Sequence, residues 1–157
     1  MPDNPVPELI LTSVPRTSPD LRSLTQALDT ELYTRYPRHL VNGIDLDAAN
    51  NDNVFFLVAY LAEEPVGCGA IRPLNAEVTE LKRFFVKSDY RGHGIATRIL
   101  ERLETEAKKR GHSALWLETG DRQPESIALY KKAGYSRMPK FGEYRDNPAS
   151  ICFRKSL

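Results

Sequence analysis

Residues 80–96, Glu-Leu-Lys-Arg-Phe-Phe-Val-Lys-Ser-Asp-Tyr-Arg-Gly-His-Gly-Ile-Ala, bring together residue types that can hold a phosphorylated ligand. The run reads as a strand, a tight glycine-rich loop and the start of a helix. A helix N-terminus offers unpaired backbone N–H groups and the positive end of the macrodipole, which suits a phosphate. Gly92 and Gly94 leave the loop backbone uncovered, and Arg91 adds a fixed positive charge beside His93. Ile95, Ala96 and Thr97 then supply the first-turn amides, so the stretch is expected to cradle a pyrophosphate. It is not a P-loop, because no Lys-Ser or Lys-Thr follows the glycines. A dinucleotide fingerprint would need a third glycine where Thr97 stands. An unliganded strand-to-helix turn has the same local signature, and the loop alone leaves that reading open.

The elements that must position this loop alternate along the chain. Residues 8–14 form an apolar strand, and 19–36 read as a helix with Leu21, Leu24, Leu28 and Leu32 near helical spacing. Residues 54–61 and 66–71 make a hairpin around the turn Ala62-Glu-Glu-Pro65, and 78–86 is a third core strand. From 94 to 110 the apolar set Ile95, Ile99, Leu100, Leu103 and Ala107 marks one face of a helix that Gly111 ends. Glu104 with Lys108, and Glu106 with Arg110, are expected as charge pairs along it. Residues 114–118 form a strand, Pro124 opens a short helix ended by Gly134, and 135–140 and 150–154 close the sheet. The Asn- and Asp-rich segment 38–53 is expected to be mobile.

Bulk properties bound the class. A chain of 157 residues fits a single domain, spanning 1–157, with a sizeable core. Lys and Arg number 22 against 21 Asp and Glu, so there is no basic excess for nucleic acid. No apolar run reaches membrane-spanning length, and Met-Pro-Asp-Asn-Pro at the start has no signal-peptide pattern. Cys68 and Cys152 are too few for a disulfide framework or a cysteine-rich metal site, so reduced thiols, a cytoplasmic location and no metal are expected.

Arg91-Gly-His-Gly-Ile-Ala96 fits the pattern Arg/Gln-x-x-Gly-x-Gly/Ala, which resembles the acyl-CoA loop of the GNAT superfamily of N-acetyltransferases. Downstream, the run from Leu115 to Tyr135 resembles the second half of the same core, a strand followed by Asn-x-x-Ala-x-x-Leu-Tyr-x-x-x-Gly-Phe/Tyr. Leu129-Tyr130, Gly134 and Tyr135 match. Gln123 stands where Asn is usual, and Ser126 where Ala is usual. The Leu-Glu-Thr-Gly stretch and Phe141-Gly-x-Tyr-x-x-x-Pro-x-Ser150 resemble a bacterial subgroup of that superfamily. The resemblance covers about residues 54–157.

The resemblance implies a mixed α/β (α+β) GNAT fold. Its central, mostly antiparallel sheet is splayed at one parallel pair and flanked by helices. It implies direct transfer from acetyl-CoA to a small-molecule or peptide amine. Backbone groups of Phe84, Phe85 and Val86 would take the pantetheine arm beside the Arg91–Thr97 loop and Gln123. Glu80 matches the frequent catalytic glutamate, against the alternative of a surface charge paired with Lys82 or Arg83. Glu118, ending the neighbouring strand, is a second base candidate. Tyr130 matches the tyrosine assigned to the departing thiolate. A free phenol has a pKa of about 10 and a thiol about 8.5, so full proton transfer would run uphill by about 2 kcal/mol. Hydrogen-bond donation to sulfur is therefore its expected first role.

Other residues weigh less. His39 and His112 are expected at the surface, Cys68 and Trp116 in the core. Tyr33 and Tyr36 are candidates for the acceptor pocket, and Arg72 and Arg83 for a substrate carboxylate. A non-catalytic acyl-CoA-sensing module that regulates a protein partner is the rival reading. A homodimer is the common default for such a chain.

Overall fold

The computed structural model describes residues 6–157. Met1–Pro5, which carries the N-terminal reading above, lies outside the described residues. Seven strands form one sheet in the order β1-β2-β3-β4-β5-β7-β6. They are β1 (Leu9–Val14), β2 (Phe55–Leu61), β3 (Glu64–Pro73), β4 (Val78–Val86), β5 (Ala114–Gly120), β6 (Ser136–Met138) and β7 (Ser150–Ser156). Every neighbouring pair is antiparallel except β4 with β5.

Three helices cover the two faces. Helix α1 (Pro19–Tyr33) begins where Ser18 Oγ accepts the Leu21 amide and Pro19 sets the first turn. Its Leu21, Leu24 and Leu28 pack with Phe56, Val58, Cys68 and Phe85 on one face of the sheet. Helix α2 (Ile95–Lys109) buries Ile95, Ile99, Leu100, Leu103 and Ala107 against the other face. The short α3 (Pro124–Lys132) joins α2 there through Ile127 and Tyr130. Alternation along β5 sends Leu115 and Leu117 toward α2, while Trp116 packs on Phe141.

Several expectations change. The first helix ends at Tyr33, because Pro37 disfavours helical backbone just before it and the Arg35 and Tyr36 amides both return to the Leu32 carbonyl. Glu104 turns to Lys155 and the Tyr135 hydroxyl, not to Lys108. Glu106 does pair with Arg110, and also with Arg102. His112 is buried, not at the surface. Segment 38–53 holds two single 3-10 turns, Arg38–Leu40 and Ala49–Asn51. Arg16 ties it down by donating to the Leu46 carbonyl and pairing with Asp52.

Candidate active site

Strands β4 and β5 pair only from Val78↔Ala114 to Leu81↔Leu117. A bulge in β4 accompanies the separation. On β3 Cys68 faces Phe85 and Ala70 faces Lys82, so two steps there match three on β4. Arg83 absorbs the extra residue at φ +53°, a left-handed conformation uncommon outside glycine. The bulge also shifts the phase of the strand. Leu81, Phe84 and Val86 pack on the α2 side, while Phe85 belongs to the α1 side. Had these same residues run as a regular strand with no bulge, Phe85 would share the face of Leu81. Arg83 is held in place by the Thr25 carbonyl at 2.9 Å and Asp29 at 2.7 Å, both on α1.

Beside the splay runs a groove of about 380 Å³. Phe84, Phe85 and Val86 form one wall, and Arg91, Gly92, Gly94, Ile95, Ala96 and Thr97 form its end. Gln123 and Ser126 approach from α3, Leu28 and Glu31 from α1. Of the residues expected to hold the cofactor, only His93 is not on the wall; it is exposed on the loop. Gly92 and Gly94 have φ of +82° and +79°, and a Cβ on either would meet no atom within 4 Å. The glycines thus supply the left-handed turns and leave the backbone open on that side. Gly94 caps α2 without a side-chain acceptor, so the first-turn amides are left for a ligand. Open backbone, free amides and an adjacent guanidinium fit a coenzyme A pyrophosphate.

Arg91 already has partners. Its Nε donates to the Val86 carbonyl at 2.9 Å, and its guanidinium meets Glu31 at 2.8 Å. Arg35, just past the end of α1, pairs with Glu125 at 2.6 Å, so α1 and the turn that follows it are tied across the groove at two points.

Leu28, Phe84, Gln123 and Ser126 also line a second cavity of about 90 Å³ on the far side of the splay. Tyr130, Glu118, Tyr144, Lys82 and Arg83 face it. A third hollow of about 50 Å³ continues it and shares Leu32, Asn42, Glu118 and Gln123. Glu118 therefore stands where the two meet.

Tyr130 is 4% exposed, with its ring against Phe84, Tyr135 and Phe153. Burial pushes its hydroxyl well above the ordinary phenol value, and the Glu118 charge adds to the shift. Burial likewise raises the Glu118 carboxyl, with nearby Glu80 acting in the same direction. The Ser150 hydroxyl, donating at 2.9 Å, opposes the rise together with Lys82 and Asn42.

Glu80 is not the surface charge of the alternative reading. It is 1% exposed, buried rather than at the surface, and it does not line any of these three cavities. Arg72 donates to one carboxylate oxygen at 3.1 Å, and the Tyr144 hydroxyl to the other at 2.5 Å. Lys82 Nζ in turn donates to Tyr144 Oη at 2.9 Å. Glu80 thus reaches the cavity only through Tyr144. Arg72 and Arg83, read as carboxylate binders, are occupied by Glu80 and Asp29.

Tyr36 lines the outer hollow, while Tyr33 sits outside it under Arg38. A Cβ on Gly120 would overlap the Tyr36 ring, so the β5 end needs glycine for this close approach. Cys68 is a core residue whose thiol burial pushes up to about 12. Tyr144, Asn42 and Ser150 escaped the sequence reading as site residues. Tyr144 and Ser150 lie within the Phe141–Ser150 pattern that could have signalled them. Asn42 stands in a segment with no periodicity to place it. Among the described residues no group of three His, Cys, Asp or Glu could hold a metal ion.

A splayed parallel pair joining a glycine-rich helix N-terminus to a cavity with a buried tyrosine and a half-buried carboxylate defines an acyl-CoA-dependent acetyltransferase fold. The chain belongs to the acetyltransferase (GNAT) family, whose profile matches residues 19–135. Acetyl-CoA is the acyl donor of that family. An IAA acetyltransferase of Azospirillum brasilense is 41% identical over 135 residues, covering 85% of this chain and 88% of the relative. A Klebsiella pneumoniae structure assigned to the acyl-CoA N-acyltransferases superposes with a TM-score of 0.84 at 31% identity, covering 95% and 97% of the two chains. An acetyl-CoA-bound GNAT acetyltransferase from Elizabethkingia anophelis shares the fold, with a TM-score of 0.71 at 20% identity over 95% and 98%.

Proposed function

We propose that the chain, acting as a single domain, moves the acetyl group of acetyl-CoA to a primary amine by direct attack in a ternary complex. The observation that carries this reading is the passage at the splay. Phe84 lines both the donor groove and the cavity that holds Tyr130 and Glu118. Acetyl-CoA supplies an activated thioester. The open edge of Phe84–Val86 offers backbone donors toward its carbonyl, and such donors are worth about 3–4 kcal/mol apiece. Holding the two reactants in attack geometry contributes up to about 7–11 kcal/mol.

The acceptor must lose a proton, since a lysine-like amine is neutral in only about one molecule in 2,500 at pH 7. Glu118 takes that role because it faces the cavity and its raised carboxyl is a stronger base than an ordinary one. Glu80 is then a positioning residue that holds the Tyr144 hydroxyl. Tyr130 stays protonated and donates a hydrogen bond to the departing sulfur. Its raised pKa makes complete transfer costlier than for a free phenol.

No helix among the described residues is long and apolar enough to cross a membrane, and both buried cysteines are free thiols. These support a cytoplasmic place of work. The test is acetyl-CoA-dependent thiol release by the purified protein across a panel of amines, with IAA assayed separately because the Azospirillum relative is named for it. Amine-dependent release is the expected result. Acetyl-CoA binding without release on any acceptor would favour the sensor reading instead.

A further inference from the structure

The charges around the acceptor cavity are unequally partnered. Two cations line it, and both are engaged. Lys82 is 3% exposed, with Nζ 2.9 Å from Tyr144 Oη and 3.4 Å from Glu143. Arg83, also 3% exposed in its side chain, is held by Asp29 and the Thr25 carbonyl. Gly43 closes over it, since a Cβ there would lie 2.9 Å from Nη1. At the rim, Arg35 is paired with Glu125, and Arg122 donates to the Arg35 carbonyl. Glu118 is the opposite case. Among the described residues no cation stands within 4.0 Å of it, and Ser150 is a neutral partner. The cleft therefore offers an unpaired carboxylate to an incoming ammonium and no free cation to an incoming anion.

The outer hollow has a matching character. Leu32, Tyr36, Leu40 and Val41 form an apolar side, faced by the side-chain amides of Asn42 and Asn147. Apart from Glu118, none of its lining residues is charged. A body lodged here is desolvated against carbon and amides, and a carboxylate or phosphate on it would lose hydration without gaining a partner.

We propose that the acceptor is a small primary amine whose body is neutral and free of carboxylate or phosphate, with its ammonium at Glu118 and its body along Leu32, Tyr36, Leu40 and Val41. This rests on the acetyl-transfer reading above. It excludes free amino acids and their phosphorylated relatives as preferred acceptors, and it assigns selectivity to missing cations as much as to present contacts.

The test is a set of matched pairs differing by one carboxylate: phenethylamine with phenylalanine, tyramine with tyrosine, and isobutylamine with valine. Steady-state thiol release gives kcat/KM for each member, and acetyl-CoA binding is measured in parallel by calorimetry. The neutral-bodied amine is expected to exceed its amino-acid partner at least about tenfold in every pair, a difference of about 1.4 kcal/mol. Amino acids turned over equally well or better would overturn the proposal while leaving amine acetylation intact. Silence from every pair with acetyl-CoA bound would overturn both. Val41→Lys places a free cation beside the body and is expected to narrow the ratio. An unchanged ratio would put the acceptor body elsewhere and overturn the assignment.

Discussion

Tyr130 and Glu118 illustrate how one buried cavity sets opposite demands on two protons. In the proposed mechanism Tyr130 keeps its proton to serve the sulfur, and burial favours the neutral phenol. Tyr130→Phe is expected to lower turnover about a hundredfold with acetyl-CoA affinity almost unchanged, compared by steady-state rates and calorimetry. In the same proposal Glu118 gives up its proton to become the base, and burial resists that. A carboxyl whose folded pKa lies above its unfolded value stabilises the fold below the unfolded pKa, and that contribution disappears as pH rises through the folded pKa. At neutral pH the ionised side chain therefore costs stability. Glu118→Gln is expected to raise Tm at pH 7 relative to the parent while turnover falls. The Tm advantage should shrink toward about pH 4, and thermal scans across that range follow the crossing.

The elements around the donor groove divide into those legible in the sequence and those set by packing. The loop from Arg91 to Thr97 was readable because glycine at left-handed turns and an uncapped helix start leave a local signature. Gly94→Glu places bulk and negative charge at that start, and calorimetry is expected to show acetyl-CoA binding abolished. Helix α2 was equally plain from its apolar face. Glu80 was not, because its partners Arg72 and Tyr144 come from β3 and from the segment before β7. No spacing along β4 indicates which of two carboxylates faces the cavity. Asn42 owes its place to a connection without periodicity, pinned by Asn147 donating to the Leu40 carbonyl. Local rules find local geometry, and the acceptor side of this site is assembled from residues far apart in the chain.

At the scale of the molecule, the sheet is divided by the candidate active site. The gap between β4 and β5 is spanned on one face by α1, through Arg83–Asp29 and Arg91–Glu31, and by the turn after it, through Arg35–Glu125. A ligand seated there bridges both halves and is bound only by the folded chain. Acetyl-CoA at about a hundred times its Kd is then expected to add about 2.7 kcal/mol of stability. For a chain of this size that corresponds to a rise of about 5–10 °C in Tm, read by differential scanning calorimetry. Desulfo-CoA should give a comparable shift, since the pyrophosphate cradle and pantetheine wall remain engaged.

The extra residue at Arg83 gives β4 something like a reading frame. Upstream of it the strand is counted in one register against β3, downstream in another, and both sides of the catalytic passage depend on the offset. Substitutions within β4 alter single contacts, but losing one residue between Lys82 and Phe85 would leave two residues facing two, keep the faces of the donor wall, and erase the bulge that accompanies the separation from β5. The number of residues in this strand is thus as much a part of the enzyme as their identity.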